Sequence, residues 1–353
     1  MAAKLLNLAA VASLAILACS FGTTPANAVS LDMSPNHARS FGHHQLIAKK
    51  KRATTGRCKP RPTSSSVAVV STTSTKPVTT TKAATTTSTK KTSTKASATP
   101  SATAVAISGN NGNGKAGLAW INPSSVSLVP FVTEKTGRIY SWSPWKPDAA
   151  AAAGLGDLFV PMLWGPSQAA DFQRLAVAGY ANAALGPNEP DLSGQANLSP
   201  ATVVSMWWQY MQPLVSKGYR LGTAAVTSGS SGKPWLQSFF SQCSGCTVDF
   251  VALHWYGTDA QAFIAYVEDF HTTFGKPIWV TEFACMDFAG GAQADLAQIN
   301  TFMNTVTAWM DSTSYVEQYF AFGFMHDMGN VNPLDTMLGS NNQPNALGNS
   351  YLH

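Results

Sequence analysis

The sequence predicts an α/β fold, a (β/α)8 TIM barrel over residues 117–353, preceded by a disordered Ser/Thr-rich tail. Three observations predict it. Apolar runs bounded by turn residues alternate with helical stretches eight times between Gly117 and the C-terminus. All ten Trp lie in this part, so a sizeable core belongs there and not to the tail. No Gly-rich dinucleotide fingerprint follows the first apolar run, which disfavours an open doubly wound sheet.

The chain begins with Lys4, the apolar run Leu5 to Cys19, and then Ala26-Asn27-Ala28. That succession marks residues 1–28 as a secretory signal peptide. The apolar run falls short of the roughly 20 residues that span a bilayer. Residues 29–62 are polar and basic around Lys49-Lys50-Lys51-Arg52. This run reads as a processing site after Arg52 or as a solvated basic loop. A secreted chain never meets the nucleus, which removes the nuclear reading of such a run. Residues 63–116 are almost wholly Thr, Ser, Ala, Lys, Pro and Val up to Ser108. This composition cannot bury enough apolar surface to offset ordering entropy, and in a secreted chain it reads as an O-glycosylated stalk. Ile107 to Gly117, with Asn-Asn-Gly-Asn-Gly at 110–114, then supply a flexible hinge.

Charge divides the chain at the same place. Residues 1–108 hold 14 of the 23 Lys and Arg with Asp32 as their acid, and the rest holds 9 basic against 17 acidic side chains, or −8. The basic stalk suits adhesion to acidic wall or membrane polymers, whereas the domain carries no nucleic-acid signature. Of five cysteines, Cys19 leaves with the signal. Cys243 and Cys246 are expected to form a local disulfide in an oxidising compartment. A redox or zinc site lacks the second Cys or His pair it would need. The pairing of Cys58 and Cys285 stays open.

Taken in order, the predicted strands are Gly117–Trp120, Ile139–Trp142, Leu158–Leu163, Ala183–Gly186, Tyr219–Val226, Asp249–Tyr256, Pro277–Phe283 and Val316–Phe324. Helices are expected through Ala149–Ala153, from Pro166-Ser167 to Gly179, and from Ser199-Pro200 to Lys217. Three more are expected near Trp235–Ser241, from Asp259 to Phe274, and from about Ala292 to Met310. Ser199 and Asp259 are N-cap residues, and Gly218 and Gly275 follow the helix ends.

Two of these strands end on a carboxylate. Ala183-Ala184-Leu185 breaks into Gly186-Pro187-Asn188-Glu189-Pro190-Asp191, and Ile278-Trp279-Val280-Thr281 runs into Glu282-Phe283. Pro190 takes the chain out of the sheet directly after Glu189. Two such strand ends in one domain suggest paired carboxylates across a pocket, the arrangement glycoside hydrolysis requires. In a barrel, catalytic groups belong at these carboxyl ends.

An Asn-Glu on strand four with a Glu on strand seven is the pattern of the clan A glycoside hydrolases. Five stretches carry a closer match: Ile139 to Pro144, Val160 to Gly165, Leu185 to Asp191, Asp249 to Gly257, and Trp279 to Phe283. In these the chain resembles glycoside hydrolase family 128, largely fungal β-1,3-glucanases grouped with the alkali-sensitive linkage proteins of cell walls. The resemblance covers nearly all of residues 117–353. Pro187 stands where members often have an aromatic residue, and Phe324-Met325 closes strand eight where the clan usually has Trp.

The resemblance implies a secreted retaining endo-β-1,3-glucanase that acts on cell-wall glucan as a monomer, without metal or cofactor and without nucleic-acid or membrane partners. Glu189 would be the acid/base and Glu282 the nucleophile. Asn188 would hold the sugar 2-hydroxyl. Glu189 would need a raised pKa, supplied by an apolar loop and the anionic Glu282. Alternation puts His254 and Tyr256 on one face of their strand, with Tyr256 orienting Glu282. No other His lies at ligand spacing to make His254 a metal ligand. Trp142, Trp145, Trp164, Trp255 and Phe283 are the aromatic candidates for substrate contact. Trp207, Trp208 and Trp309 are assigned to helix packing, and Asp191 to capping a turn. Two alternatives stay open: a glucan-binding or structural wall protein with a hydrolase-like barrel, and a clan A hydrolase of another β-glycan.

A chain beginning near Asn113 is expected to fold and to keep its activity on short soluble glucans, because residues 29 to about 110 lack apolar periodicity. Circular dichroism and product assay of that truncation check this. Loss of folding would show that the tail packs on the domain.

Overall fold

The structure is a computed structural model that describes residues 114–353. The signal peptide, the basic segment, the Ser/Thr-rich stretch up to Asn113 and Cys58 lie outside the described residues. Strands and helices follow in the order β1 (Ala116–Ala119), β2 (Thr136–Tyr140), α1 (Asp148–Ala152), α2 (Ala169–Leu175), β3 (Ala183–Leu185), α3 (Pro200–Met206) and β4 (Arg220–Gly222). They continue with α4 (Gly232–Gln242), β5 (Val251–Tyr256), α5 (Ala260–Phe274), β6 (Ile278–Ala284), α6 (Leu296–Ser312), β7 (Val316–Ala321) and α7 (Ala346–Leu352). The strands pair in parallel as a five-stranded sheet, β2-β1-β7-β6-β5, and a two-stranded sheet, β3-β4. The fold is therefore α/β with parallel sheet.

The third predicted strand is interrupted. Within Leu158–Leu163 the pairing consists of isolated parallel bridges, Phe159 to Ile139 and Met162 to Leu185. Pro161 lies between them and has no N–H to continue a ladder, although its carbonyl accepts from Leu185 N at 3.0 Å. Further isolated parallel bridges join Gly222 to Phe250 and Val226 to Leu253.

The helix expected over 199–217 changes form twice. α3 passes into a π segment, Trp207–Met211, and then into 3-10 turns, Gln212–Lys217. Pro213 cannot donate to the Gln209 carbonyl, so an α-helical bond is missing in this stretch. The caps agree with the sequence. Ser199 accepts from Thr202 N, Asp259 accepts from Gln261 N and Ala262 N, and Gly218 and Gly275 are left-handed. α6 starts at Leu296, later than expected, because Asp295 and Gln298 form a capping box. The unpredicted α7 is held by Tyr351, whose hydroxyl donates to the carbonyls of Gly117 on β1 and Tyr319 on β7.

Strand side chains alternate between two apolar clusters. One takes Leu118, Ile139, Leu221, Leu253, Val280 and Tyr319 together with the helix residues Trp207, Leu236, Phe263 and Val306. The other takes Ala119, Tyr140, Val160, Leu185, Ala252, Trp279 and Phe320, with residues of the following loops. Size is matched across the second cluster: a Cβ on Gly117 would lie 2.2 Å from the Phe320 ring, and one on Gly222 2.3 Å from the Phe250 ring. Near the amino ends of the strands, Phe250 and Trp279 stack at 3.8 Å. Arg138 and Arg220 lie over these rings, and Glu317 accepts from Trp279 Nε1 and pairs with Arg220. Trp207 is buried against Phe239 and Trp309 packs on Phe263 and Tyr315, as expected of helix packing, whereas Trp208 is 47% exposed.

Cys243 and Cys246 form the expected disulfide directly after α4. By chain entropy so short a loop is worth about 2 kcal/mol. Replacing both cysteines by serine is expected to lower Tm by about 4–8 °C and to leave catalysis intact. Calorimetry checks this; free thiols on mass mapping of the native protein would remove the premise.

Candidate active site

Glu189 leaves β3 through a turn stitched to the neighbouring strand end. Asn188 N donates to Trp164 O, Glu189 N to Ala225 O at 2.8 Å, and Ala225 N to Pro187 O at 3.0 Å. Gly186 is needed here because a Cβ would meet Ala224 N at 2.8 Å. Glu189 itself has a φ of 40°, left-handed for a non-glycine residue, at a cost of about 1–2 kcal/mol. The same region of backbone space is taken by Trp142, with φ 51°.

Glu282 reaches the same place through an irregularity. Strand residues Ile278 and Val280 point into the helix-facing cluster and Trp279 into the other. Strict alternation would then send Glu282 toward the helices and Phe283 inward. Instead, the register between β5 and β6 shifts between Leu253 and His254, so that Leu253 pairs with Val280 but His254 with Glu282. This bulge turns Glu282 inward and puts Phe283 against Phe263 of α5.

His254 lies between the two carboxylates. Its Nδ1 is 2.8 Å from Glu189 Oε1 and its Nε2 is 3.4 Å from Glu282 Oε1. All three side chains are buried, at 0%, 1% and 3% exposure for His254, Glu189 and Glu282. Glu282 Oε1 also accepts from Trp142 Nε1 at 2.6 Å, and Oε2 from the Tyr256 hydroxyl at 2.6 Å. Burial opposes the imidazolium, but Glu282 and Glu189 outweigh it and raise the His254 pKa. Burial raises the Glu282 carboxyl, with Glu189 adding to it; His254 and the hydrogen bonds from Tyr256 and Trp142 act against the rise. One ligand-capable atom from each of Glu189, His254 and Glu282 lies within 4.8 Å of the others, near enough to share an ion. Nδ1 is hydrogen-bonded to Glu189, whereas Nε2 lies at ion-pair distance from Glu282 and makes no hydrogen bond among the described residues.

Asn188 donates from Nδ2 to Gln195 Oε1 at 3.1 Å, and its Oδ1 is buried with no hydrogen-bond partner among the described residues. Such an orphaned acceptor fits a ligand hydroxyl. Asp191 does more than cap a turn: it accepts from Thr227 N at 3.1 Å, from Thr227 Oγ1 and from Ser231 Oγ at 3.0 Å, tying the Glu189 loop to the loop after β4.

The aromatic candidates divide. Trp142 and Tyr256 contact Glu282, and Trp164 packs with the same inner cluster. Trp145 is partly buried on the loop after β2, where its carbonyl accepts from Ser141 Oγ. Trp255 and Phe283 are not brought to the carboxylates. Trp255 packs on Phe263 and Tyr266 of α5, on the face of β5 away from His254, and Phe283 is turned outward by the bulge. Phe322 was not singled out from the sequence; its ring lies 5.8 Å from Trp142 and 6.1 Å from Tyr256. Phe288, on the loop after β6, lies 5.2 Å from Tyr256. The signal for Phe322 was strand parity with Phe320, which lies on the same inner face; beyond the strand the parity is lost, and Phe324 packs outward on Phe131.

The sequence profile of the glycosyl hydrolase catalytic core family matches residues 117–351. The chain belongs to this family and is a glycoside hydrolase. Its solved relatives are family 128 enzymes. An endo-β-1,3-glucanase of subgroup II from Sorangium cellulosum is 29% identical, with TM-score 0.58, over 67% of this chain and 97% of that one. A curdlan-specific exo-β-1,3-glucanase of subgroup III from Blastomyces gilchristii is 32% identical, with TM-score 0.55, over 69% and 99%. A subgroup I endo-β-1,3-glucanase from Amycolatopsis mediterranei, in complex with laminaripentaose, is 30% identical with TM-score 0.57, over 67% and 98%. Alkali-sensitive linkage protein 1 of Schizosaccharomyces pombe is 30% identical over 245 residues, 68% of this chain. The chain spans 44% of that protein's length.

Behind Glu282, Asp335 accepts from the N–H of Cys285 at 3.1 Å, and its Oδ2 is buried without a hydrogen-bond partner among the described residues. Cys285 is a free buried thiol, pushed up to about 12 by burial and by Asp335. Burial raises the Asp335 carboxyl to about 7, against an ordinary 3.8. The unfolded chain therefore releases this proton from about pH 4 upward while the folded chain keeps it to about pH 7, so stability falls across that interval. Relative to Asp335→Asn, the native protein should lose stability on the order of 4 kcal/mol between those limits. Denaturant unfolding of both proteins at about pH 4 and about pH 8 measures it. A pH-independent difference would mean that Asp335 is ionised in the fold.

Proposed function

We propose that this glycoside hydrolase is a secreted retaining endo-β-1,3-glucanase that cleaves cell-wall glucan by double displacement, on a (β/α)8 barrel. The observation that carries the reading is the pair of buried carboxylates on one imidazole, at the carboxyl ends of β3 and β6. The barrel is supported by the isolated bridges, through which each strand gains a neighbour on both sides, and by the two-cluster alternation of strand side chains. The substrate is supported by relatives that are β-1,3-glucanases, one of them holding laminaripentaose.

Glu189 protonates the leaving oxygen and Glu282 attacks the anomeric carbon. Carboxyl groups about 5–5.5 Å apart suit this retaining route, whereas inversion needs roughly 6.5–9.5 Å. Oxygens within 4.8 Å of each other fit the shorter class. One proton shift prepares the site. With His254 charged and both glutamates ionised, the triad has net charge −1; with His254 neutral, Glu189 protonated and Glu282 ionised, it is again −1. Moving the proton along the 2.8 Å hydrogen bond to Glu189 turns the first state into the second without exchange with solvent. Asn188 Oδ1 then accepts from the sugar 2-hydroxyl, a contact that strengthens as the transition state forms. Glu189 afterwards deprotonates the water that releases the sugar.

A second reading is supported by the alkali-sensitive linkage relative and the basic Ser/Thr-rich stretch: a wall protein retained on glucan, in which the domain serves attachment. Incubation with laminarin, mannan, xylan and cellulose separates the readings. Hydrolysis of laminarin, with first-formed sugars of retained anomeric configuration by NMR, is the expected outcome. Glu282→Gln should lose nearly all activity with the fold intact. Glu189→Ala should retain more activity on substrates with good leaving groups, which need little protonation. Inverted product, or a normal rate in Glu282→Gln, overturns the mechanism; binding to laminarin without cleavage favours the attachment role.

A further inference from the structure

The residues that surround Glu282 include one whose geometry differs from the role its residue type suggests. A tryptophan at the end of β2 reads as a platform for a sugar ring. In the structure Trp142 is 5% exposed, and its ring is enclosed by Tyr140 at 4.8 Å and Phe322 at 5.8 Å. Its polar atom is aimed at the carboxylate, with Nε1 2.6 Å from Glu282 Oε1. Its backbone is held at φ 51°, a conformation a bulky side chain rarely takes unless its surroundings enforce it. The Gln168 amide donates to the Trp142 carbonyl at 3.4 Å and helps to hold it.

We propose that Trp142 is a positioning residue for Glu282: its indole N–H and the Tyr256 hydroxyl each hold one oxygen of the carboxylate, fixing its aim beside His254 without a lysine or arginine. This rests on Glu282 being the nucleophile. The two donors meet different oxygens, Oε1 and Oε2, and so fix the plane of the carboxylate. Among the described residues, the ion pair to Glu282 is with His254, and no Lys or Arg pairs with it. The titratable groups facing Glu282 are His254 and Tyr256 from β5, Glu189 from the loop after β3, and Tyr140 from β2. A neutral donor suits this position. An arginine here would add a full positive charge and compete with His254 for the same carboxylate, whereas an indole stabilises the anion and cannot take its proton.

The sign of the effect follows directly. The Trp142 hydrogen bond favours ionised Glu282, so removing it moves the Glu282 titration to higher pH. Activity needs ionised Glu282, so the acid limb of the kcat/KM profile moves up with it.

Trp142→Phe removes the N–H and keeps an aromatic ring, and Trp142→His restores a ring N–H in a residue that tolerates the left-handed region. On laminarin, Trp142→Phe is expected to lower kcat by about ten- to a hundredfold with KM little changed, and to shift the acid limb upward by about one pH unit. Trp142→His is expected to recover part of both. A raised KM with kcat and the acid limb unchanged would identify a sugar platform and overturn the proposal. A second measurement needs neither a variant at 142 nor turnover. In the full native chain, the Trp142 indole N–H resonance is expected downfield, and it should move upfield as Glu282 is protonated and in Glu282→Gln. An indole resonance indifferent to both overturns the proposal even if the protein cleaves another glycan. Lack of activity on every β-glucan, with the resonance behaving as expected, would instead remove the catalytic reading and leave the hydrogen bond standing.

Discussion

The bridge from Glu189 through His254 to Glu282 sets the terms for the rest of the domain. Two carboxylates so close in an apolar interior repel each other, and burial alone would drive both toward the neutral form. The imidazole between them changes that balance, because its charge is favoured by the same two groups that disfavour each other. The cost is paid in placement. His254 has little freedom: it is fully buried, hydrogen-bonded to Glu189 through Nδ1 and at ion-pair distance from Glu282 through Nε2. The surrounding structure is arranged so that three side chains from different strand ends arrive in register.

Each arrival depends on a local departure from regular secondary structure. Glu189 depends on a left-handed residue after Gly186, where only a missing Cβ allows the chain to pass Ala224. Glu282 depends on the bulge opposite His254, which reverses the alternation that Trp279 begins. Trp142 depends on a second left-handed backbone at the end of β2. These departures carry strain, and the regular part of the domain supports them. The Phe250–Trp279 stack with its arginines, the Tyr351 bonds to β1 and β7, and the Asp191 bonds to the loop after β4 hold strand and loop positions on all sides of the triad. A regular framework with irregular ends suits a site whose chemistry needs fixed directions.

Much of this was legible in the sequence, and the reasons for the remainder are physical. The cap residues Ser199, Asp259, Gly218 and Gly275 end helices through local hydrogen bonds and left-handed backbone, so a local reading finds them. Glu189 and Glu282 were visible because Pro190 and the strand composition mark where each strand stops. Phe283 and Trp255 were placed in the site by proximity to those motifs. For Phe283 the deciding feature is a bulge, which is a property of two paired strands and leaves no mark in either alone. Pro161 shows the opposite limit: the apolar run around it reads as a strand, and the single missing N–H reduces it to isolated bridges. The π segment before Pro213 has the same origin.

The division of charge along the chain bears on how the site meets a polymer. The described domain draws on a part of the chain that is net acidic, and its buried ionisable groups include the triad and Asp335. Under the proposed function, a neutral glucan gains nothing from long-range steering by such a surface, and recognition would fall to short-range contacts: hydroxyls on Asn188 and apolar sugar faces against the aromatic residues near Glu282. The basic residues gathered in the first 108 positions can attract acidic wall polymers without touching this balance. On the proposed reading, attachment and cleavage would call on separate stretches of sequence with opposite charge. This separation lets the interior around Glu189, His254 and Glu282 be tuned by burial and hydrogen bonds alone.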